Sequence, residues 1–315
     1  MTPFMDKQMF ALVGGVTALL VIASVAGWIL SVAVTDDRAR GTIKNLNARV
    51  KAWWVMVAIF GLAMATGGIG SVVLFGLMSF LALREFITLT PTRRSDHRTL
   101  FWIFFIILPL QYVLVGIKWY GFFAVMIPVF AFLFVPLRSV LAGDCEHFLE
   151  RTAKIQWGLM ICVYCVSYVP ALLLLDLPGR ANQNAKLMFY FVLVAQISDV
   201  LQYVWGKTLG KRKILPSVSP NKTWAGFIGG VVCATLIGTG LWWATPFTPW
   251  QSAGMSLVIT LMGFAGGLVM SAIKRDRGIK DYGHLIEGHG GVLDRIDSLC
   301  FAAPVFFHLT RYYFT

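Results

Sequence analysis

Apolar residues in this chain come in runs far longer than a globular core requires, separated by short polar stretches. Candidate spans are 9–34, 52–66, 69–86, 100–117, 119–136, 156–175, 186–205, 224–244, 251–271 and 298–314. Most approach the roughly 20 residues a helix needs to cross a bilayer; the second, third and last are short. Backbone groups in lipid must be hydrogen-bonded internally, which leaves helices or a closed barrel, and unalternating runs of this length exclude the barrel. The pattern predicts an all-α, polytopic integral membrane protein with about nine to ten transmembrane helices. Gly67-Gly68-Ile69-Gly70 reads as a tight turn between the second and third spans. The run Phe10 to Val34 is too long for a signal-peptide core and lacks a small-residue cleavage site, so it reads as the first span.

Composition agrees with that reading. Of 315 residues, 57% are hydrophobic and 13% charged, with a mean hydropathy of +0.72, whereas a soluble domain carries about 25% charged residues. The net charge of +12 could suggest a nucleic-acid partner, but 22 of the 27 Lys and Arg fall in five short loops: 35–51, 84–99, 137–156, 206–223 and 272–298. Counting spans from an outside N-terminus puts all five loops on one side, the positive-inside pattern of an inner (cytoplasmic) membrane protein, so no nucleic acid is expected. The five cysteines are scattered, and the Cys162-x-x-Cys165 pair reads as small buried hydrophobes. No soluble domain or internal repeat is visible; the chain reads as a single helical membrane domain, 1–315.

Chemistry concentrates in two segments. Ser271 to Asp297 places five basic and five acidic residues directly after an apolar run. Charges beside lipid are expensive and usually mark a site. Lys274 and Arg275 reach headgroup depth at the end of a span and suit a lipid or nucleotide phosphate. Lys280 and Asp281 follow a glycine, and His289-Gly290-Gly291 would let backbone amides approach phosphate oxygens. Asp294-Arg295-Ile296-Asp297 spaces two carboxylates so that on a helix they share a face and can hold one or two cations. Hard oxygen ligands favour magnesium over zinc. In the second segment, Asp199 lies inside an otherwise apolar span, where a carboxylate implies a cation or basic partner. Ser219-Pro220 reads as a helix start with Ser219 as cap, a positive end able to receive a phosphate with Lys222 and Thr223 beside it. Lys211 to Lys213 suit orientation and acidic lipids. Arg49 to Trp54 reads as an interfacial anchor in which Arg49 can meet a headgroup; Arg84-Glu85 and Arg93-Arg94 read similarly.

The run Ser271 to Asp297 resembles the signature of the CDP-diacylglycerol synthases (phosphatidate cytidylyltransferases), S-x-x-K-R-x4-K-D-…-H-G-G-x-x-D-R-x-D, and Ser219-Pro-Asn-Lys-Thr-Trp224 and Gly226-Phe-Ile-Gly-Gly230 also look like that family. The likeness covers about the C-terminal 120 residues, so 181–315 reads as the catalytic part and 1–180 as spans of weaker resemblance. It implies that Asp294 and Asp297 belong to a metal site, with Asp199 and Asp281 as further candidate ligands. Lys274, Arg275, Lys280 and Arg295 would contact phosphates, Asp281, His289, Gly290 and Gly291 would shape the pocket, and Ser219, Lys222 and Thr223 would add to nucleotide binding. Three positions depart from the family pattern: Glu287, the Val-Leu-Gln that follows Asp199, and Gly267 where many bacterial members carry a metal-binding aspartate.

The activity implied is cytidylyl transfer from CTP to phosphatidate, with Mg2+ required, a second cation allowed, and membrane lipids and a homodimer as further partners. A phosphate monoester with a second pKa near 6 is already a nucleophile at neutral pH, so positioning and charge neutralisation would carry catalysis. The alternatives are another CTP-dependent membrane lipid transferase or kinase with a polyprenol-type acceptor, a catalytically silent lipid-binding paralogue, and a transporter using Asp199.

Overall fold

The computed structural model describes residues 7–34, 37–177, 183–283 and 290–315. Among them lie ten long helical segments: α1 Lys7–Ala33, α2 Asp37–Ala65, α3 Gly67–Thr88, α4 Arg94–Gly116, α5 Tyr120–Val140, α6 Phe148–Leu174, α7 Asn184–Thr208, α8 Trp224–Gly240, α9 Pro249–Asp276 and α10 Leu293–Phe314. Eight of them contain a stretch long and apolar enough to cross a membrane; α8 is shorter and α10 begins with a charged turn. The polytopic, all-helical reading therefore holds. The break between α2 and α3 falls at Thr66, with Gly67 opening α3 in the left-handed region at φ +80°, which glycine adopts without steric cost. Helices α4, α5 and α6 each contain a π-turn, at Ile103–Ile107, Met126–Ala131 and Met160–Cys165. Pro109 and Pro128 sit beside or within the first two, where a missing N–H favours a widened turn.

The core runs along α10. Its Leu293, Ile296, Leu299, Cys300, Ala303, Phe306 and Phe307 are buried, and the helix packs against α3, α6, α7 and α9. All five cysteines are free, with Cys162 and Cys300 buried in this core. Helices α1 and α2 lie at the periphery and expose most of their apolar surface, as lipid-facing helices do. Because the segments run up and down, the basic loops that join α3 to α4, α5 to α6, α7 to α8 and α9 to α10 share one end. Ion pairs knit that end together: Arg93 Nε lies 3.2 Å from Asp144, and the buried Arg151 pairs with Asp96 at 3.3 Å and Asp144 at 3.0 Å.

Glycine decides how closely α7 approaches α8. A Cβ on Gly226 would lie 2.6 Å from the Gln202 carbonyl oxygen, and one on Gly230 would lie 2.7 Å from the Gln202 nitrogen. Within lipid, association rests on such close packing and not on hydrophobic burial. Gly226-Phe-Ile-Gly-Gly230 therefore forms the seam that sets α8, and the loop before it, against α7. Gly230→Val should push the two backbones apart and cost about 1–3 kcal/mol, seen as a lower unfolding midpoint in detergent; an unchanged midpoint would mean the seam yields without strain.

Candidate active site

The site begins with Asp294, in the first turn of α10. Its Oδ1 accepts from Lys274 Nζ at 2.9 Å, and Lys274 is in the last turn of α9. Its Oδ2 accepts from the backbone N–H of Tyr282 at 2.8 Å and of Gly291 at 3.0 Å. The carboxylate thus folds the α9–α10 loop back on itself and also satisfies the positive end of its own helix. Tyr282 is buried, donates its hydroxyl to the Met270 carbonyl at 2.9 Å, and lies beneath the Lys274 ammonium, 5.3 Å from the ring centre.

A second carboxylate arrives from far away in the chain. Glu85, near the end of α3, accepts from the Val292 N–H through Oε1 and from the Leu293 N–H through Oε2, both at 2.9 Å. These are orphan donors of the α10 N-terminus, and Glu85 caps them from another helix. A Cβ on Gly291 would lie 2.3 Å from a Glu85 oxygen, and one on Gly283 would lie 2.7 Å away. Gly290 and Gly291, expected to let backbone amides approach phosphate, have a scaffold role in this structure. The Gly291 amide binds Asp294, Gly290 takes φ +82° to make the turn, and the missing side chains make room for Glu85 and Asp294. His289 lies outside the described residues.

One turn further along α10, Asp297 joins Asp199 of α7 and Lys222, which precedes α8. Electrostatic influence runs among all three, and Lys274 acts on Asp297 as well as on Asp294. The two signature aspartates therefore share a basic neighbour. Asp297 Oδ1 also accepts from the Ser298 N–H at 2.8 Å. Gly267 explains how Lys222 fits: a Cβ there would lie 2.8 Å from Lys222 Nζ and 3.9 Å from Asp297 Oδ2. The lysine fills the space beside Gly267, 4.5 Å from the centre of the Phe264 ring. Burial pulls the Lys222 ammonium below the ordinary lysine value, with Asp199 and Asp297 opposing that shift.

Other expected residues stand further out or serve the scaffold. Arg275 gives its guanidinium to the carbonyls of Val218 at 3.3 Å and Ile279 at 3.1 Å, stapling two loops together. Lys280 and Asp281 are exposed at the surface of the α9–α10 loop. Arg295 borders Asp199, its Nε is buried without a hydrogen-bond partner, and its carbonyl accepts from Gln196 Nε2 at 3.2 Å. The helix start expected at Ser219-Pro220 is not there. Thr223 caps α8 by accepting from the Gly226 N–H at 3.1 Å, and Ser219 lies in a turn that accepts from the Lys222 N–H at 3.3 Å. Residues 215–222 instead fold into turns, closed by an antiparallel bridge between Lys213 and Thr223, with Trp224 N–H bonded to the Arg212 carbonyl at 3.0 Å; helix begins only at residue 224.

The donor chemistry can be tested against magnesium. No group of three or more His, Cys, Asp or Glu is gathered among the described residues. Magnesium seldom asks for such a cage: it binds through one or two carboxylates and completes its shell with water and substrate phosphates. Asp199 and Asp297 fit that requirement. Asp294, with three bonds already made to Lys274, Tyr282 and Gly291, would have to exchange one of them to join. Sequence reasoning missed Glu85, grouped with Arg84 as an interfacial anchor. The signal was present, because Glu85 is the only acidic residue between Asp37 and Asp96.

Comparison with known proteins adds an independent line. The model of a family described as the cytidylyltransferase family matches residues 47–313. The chain is 40% identical over 273 residues to the uncharacterized protein YnbB of Escherichia coli, covering 85% of this chain and 88% of that protein. It is 36% identical over 146 residues to a phosphatidate cytidylyltransferase of Staphylococcus aureus, and 34% identical over 146 residues to one of Staphylococcus haemolyticus. Each match covers 46% of this chain and 56% of the relative, so the chain spans about half the length of these staphylococcal proteins.

Removing the Glu85 cap should loosen the first turn of α10. Glu85→Ala is expected to cost about 1–2 kcal/mol and to speed amide exchange at Val292 and Leu293 about tenfold or more. Unchanged exchange at those two amides would show that the α10 N-terminus is held by other means.

Proposed function

The chain belongs to the cytidylyltransferase family, and from that premise we propose that it transfers the cytidylyl group of CTP to phosphatidate, giving CDP-diacylglycerol and pyrophosphate. The observation that carries the reading is the meeting of Asp199, Asp297, Lys222 and Lys274, from four separate parts of the chain, at the basic end of a membrane bundle. Few tasks other than handling polyanions at a bilayer surface require that combination. The positive-inside bias supports a cytoplasmic side for this end, in a bacterial inner membrane, where CTP is available.

In the reaction, one oxygen of the lipid phosphate monoester attacks the α-phosphorus of CTP, a new P–O–P bond forms, and the bond to the β-phosphate breaks as pyrophosphate leaves. No base is required, because the monoester is already largely ionised at neutral pH. The difficulty is repulsion between two anions. Lys274 and Lys222 neutralise phosphate oxygens and hold the reactants in line, and Arg295 offers an uncommitted buried donor for the same purpose. Asp199 and Asp297 would hold magnesium, which when bound supplies charge neutralisation across the phosphates. Glu85 and Asp294 keep the first turn of α10 in register so that Asp297 faces Asp199.

The test is the purified protein in detergent with phosphatidate and CTP labelled either in cytidine or in the γ-phosphate, with and without magnesium. Cytidine label in the lipid, dependent on magnesium, is the expected result. Label from the γ-phosphate alone would make the protein a kinase, and no label would leave it a lipid-binding protein. Asp297→Asn should lower turnover about a hundredfold or more while the protein still inserts and elutes as one species. A full rate in that variant at ordinary magnesium would remove Asp297 from the site.

A further inference from the structure

Two cations of this chain converge on one aromatic ring outside the site just described. The Arg49 guanidinium of α2 lies 5.6 Å from the centre of the Tyr203 ring of α7, and Lys207 Nζ lies 5.9 Å from the same centre. Among the described residues neither cation has a carboxylate partner. Two like charges sharing one ring repel each other, and the face of a single phenol compensates only part of that. An anion between them would remove the conflict.

The surroundings indicate which anion. Helices α2 and α7 meet again through the Phe60 and Phe189 rings, 6.2 Å apart. The Arg49–Tyr203 contact lies toward the end of α7 that leads into the basic loop before α8. Tyr203 is 54% exposed, and the next positions round α7, Val200 and Val204, are 47% and 45% exposed, so the ring lies at the edge of a lipid-facing surface. Asp199 is one turn earlier on the same helix, about 6 Å along the axis. An anion held at Arg49, Tyr203 and Lys207 would thus have its acyl chains against α7 and its charge one turn from the Asp199–Asp297 pair. A water-borne nucleotide gains nothing from an apolar border, whereas a lipid does.

The geometry points to Arg49, Tyr203 and Lys207 as the receiving site for the phosphate monoester of the lipid acceptor, on the bilayer side of the active site. Arginine and lysine stems lie along apolar surface while their heads reach headgroup depth, and the phenol adds a hydroxyl donor. A doubly charged monoester gains more between two cations than a singly charged phosphodiester, so the site selects phosphatidate from bulk phospholipid. This assignment rests on the cytidylyl-transfer reading for the identity of the acceptor.

Two measurements test it. In mixed micelles, Arg49→Ala combined with Lys207→Ala should raise KM for phosphatidate about tenfold while KM for CTP stays put. The conservative pair Arg49→Lys with Lys207→Arg should recover most of the loss, and Arg98→Ala with Arg138→Ala, the same change in charge elsewhere on this end, should not reproduce it. Native mass spectrometry of the detergent-purified protein, offered phosphatidate against phosphatidylcholine, reads binding without turnover. The wild type should retain phosphatidate preferentially, and the double-alanine variant should lose that preference. Retained preference, an equal loss in the Arg98/Arg138 control, or a parallel rise in KM for CTP would each overturn the proposal. If the wild type transfers no cytidine yet its phosphatidate preference depends on Arg49 and Lys207, the site stands and the cytidylyl-transfer reading falls.

Discussion

The N-terminal turn of α10 is where this structure resolves its hardest electrostatic problem. A buried helix end leaves amide donors without partners, and carboxylates beside lipid are costly unless paired. Each defect answers the other. Glu85 takes the Val292 and Leu293 amides, and Asp294 takes the Tyr282 and Gly291 amides together with the Lys274 ammonium. With that turn held, Asp297 follows one turn later at a defined place between Lys274, Lys222 and Asp199. The catalytic reading depends on that fixed turn.

The remainder of the bundle serves to bring distant segments to one end. The glycine seam between α7 and α8 lets the loop before α8 deliver Lys222 toward Asp297, and Gly267 on α9 leaves the volume that the lysine fills. Lys222 offsets part of the charge of Asp199 and Asp297 before any substrate arrives, which limits the cost of burying them. The arrangement also suits a magnesium ion bound mainly through substrate phosphates, because two carboxylates are all such an ion takes from the protein.

Much of this was legible in the chain itself. Ten apolar runs became ten helical segments, and Lys274, Tyr282, Gly291 and Asp294 of the Ser271 to Asp297 stretch meet at the start of α10. Two local features serve the scaffold for the same reason. Ser219-Pro220 carries the residues of a helix start, but the segment folds into turns closed by the Lys213–Thr223 bridge, and the cap falls at Thr223. Gly290 and Gly291 carry the look of a phosphate loop, but their amide and their empty volume are used by Asp294 and Glu85. In both cases a partner outside the motif decided what the motif does.

The sequence by itself determined the number of helical passes, the basic end and the stretch that holds the chemistry. These follow from the bilayer, which acts on each segment separately: length sets a span, and lysine and arginine bias sets its direction. Only the tertiary structure decided that Glu85 caps a helix 207 residues away, that Lys222 occupies the space at Gly267, and that Arg49 and Lys207 meet over Tyr203. The partner of a charge near lipid is whichever group packing brings within a few ångströms, and no periodicity along the chain encodes that.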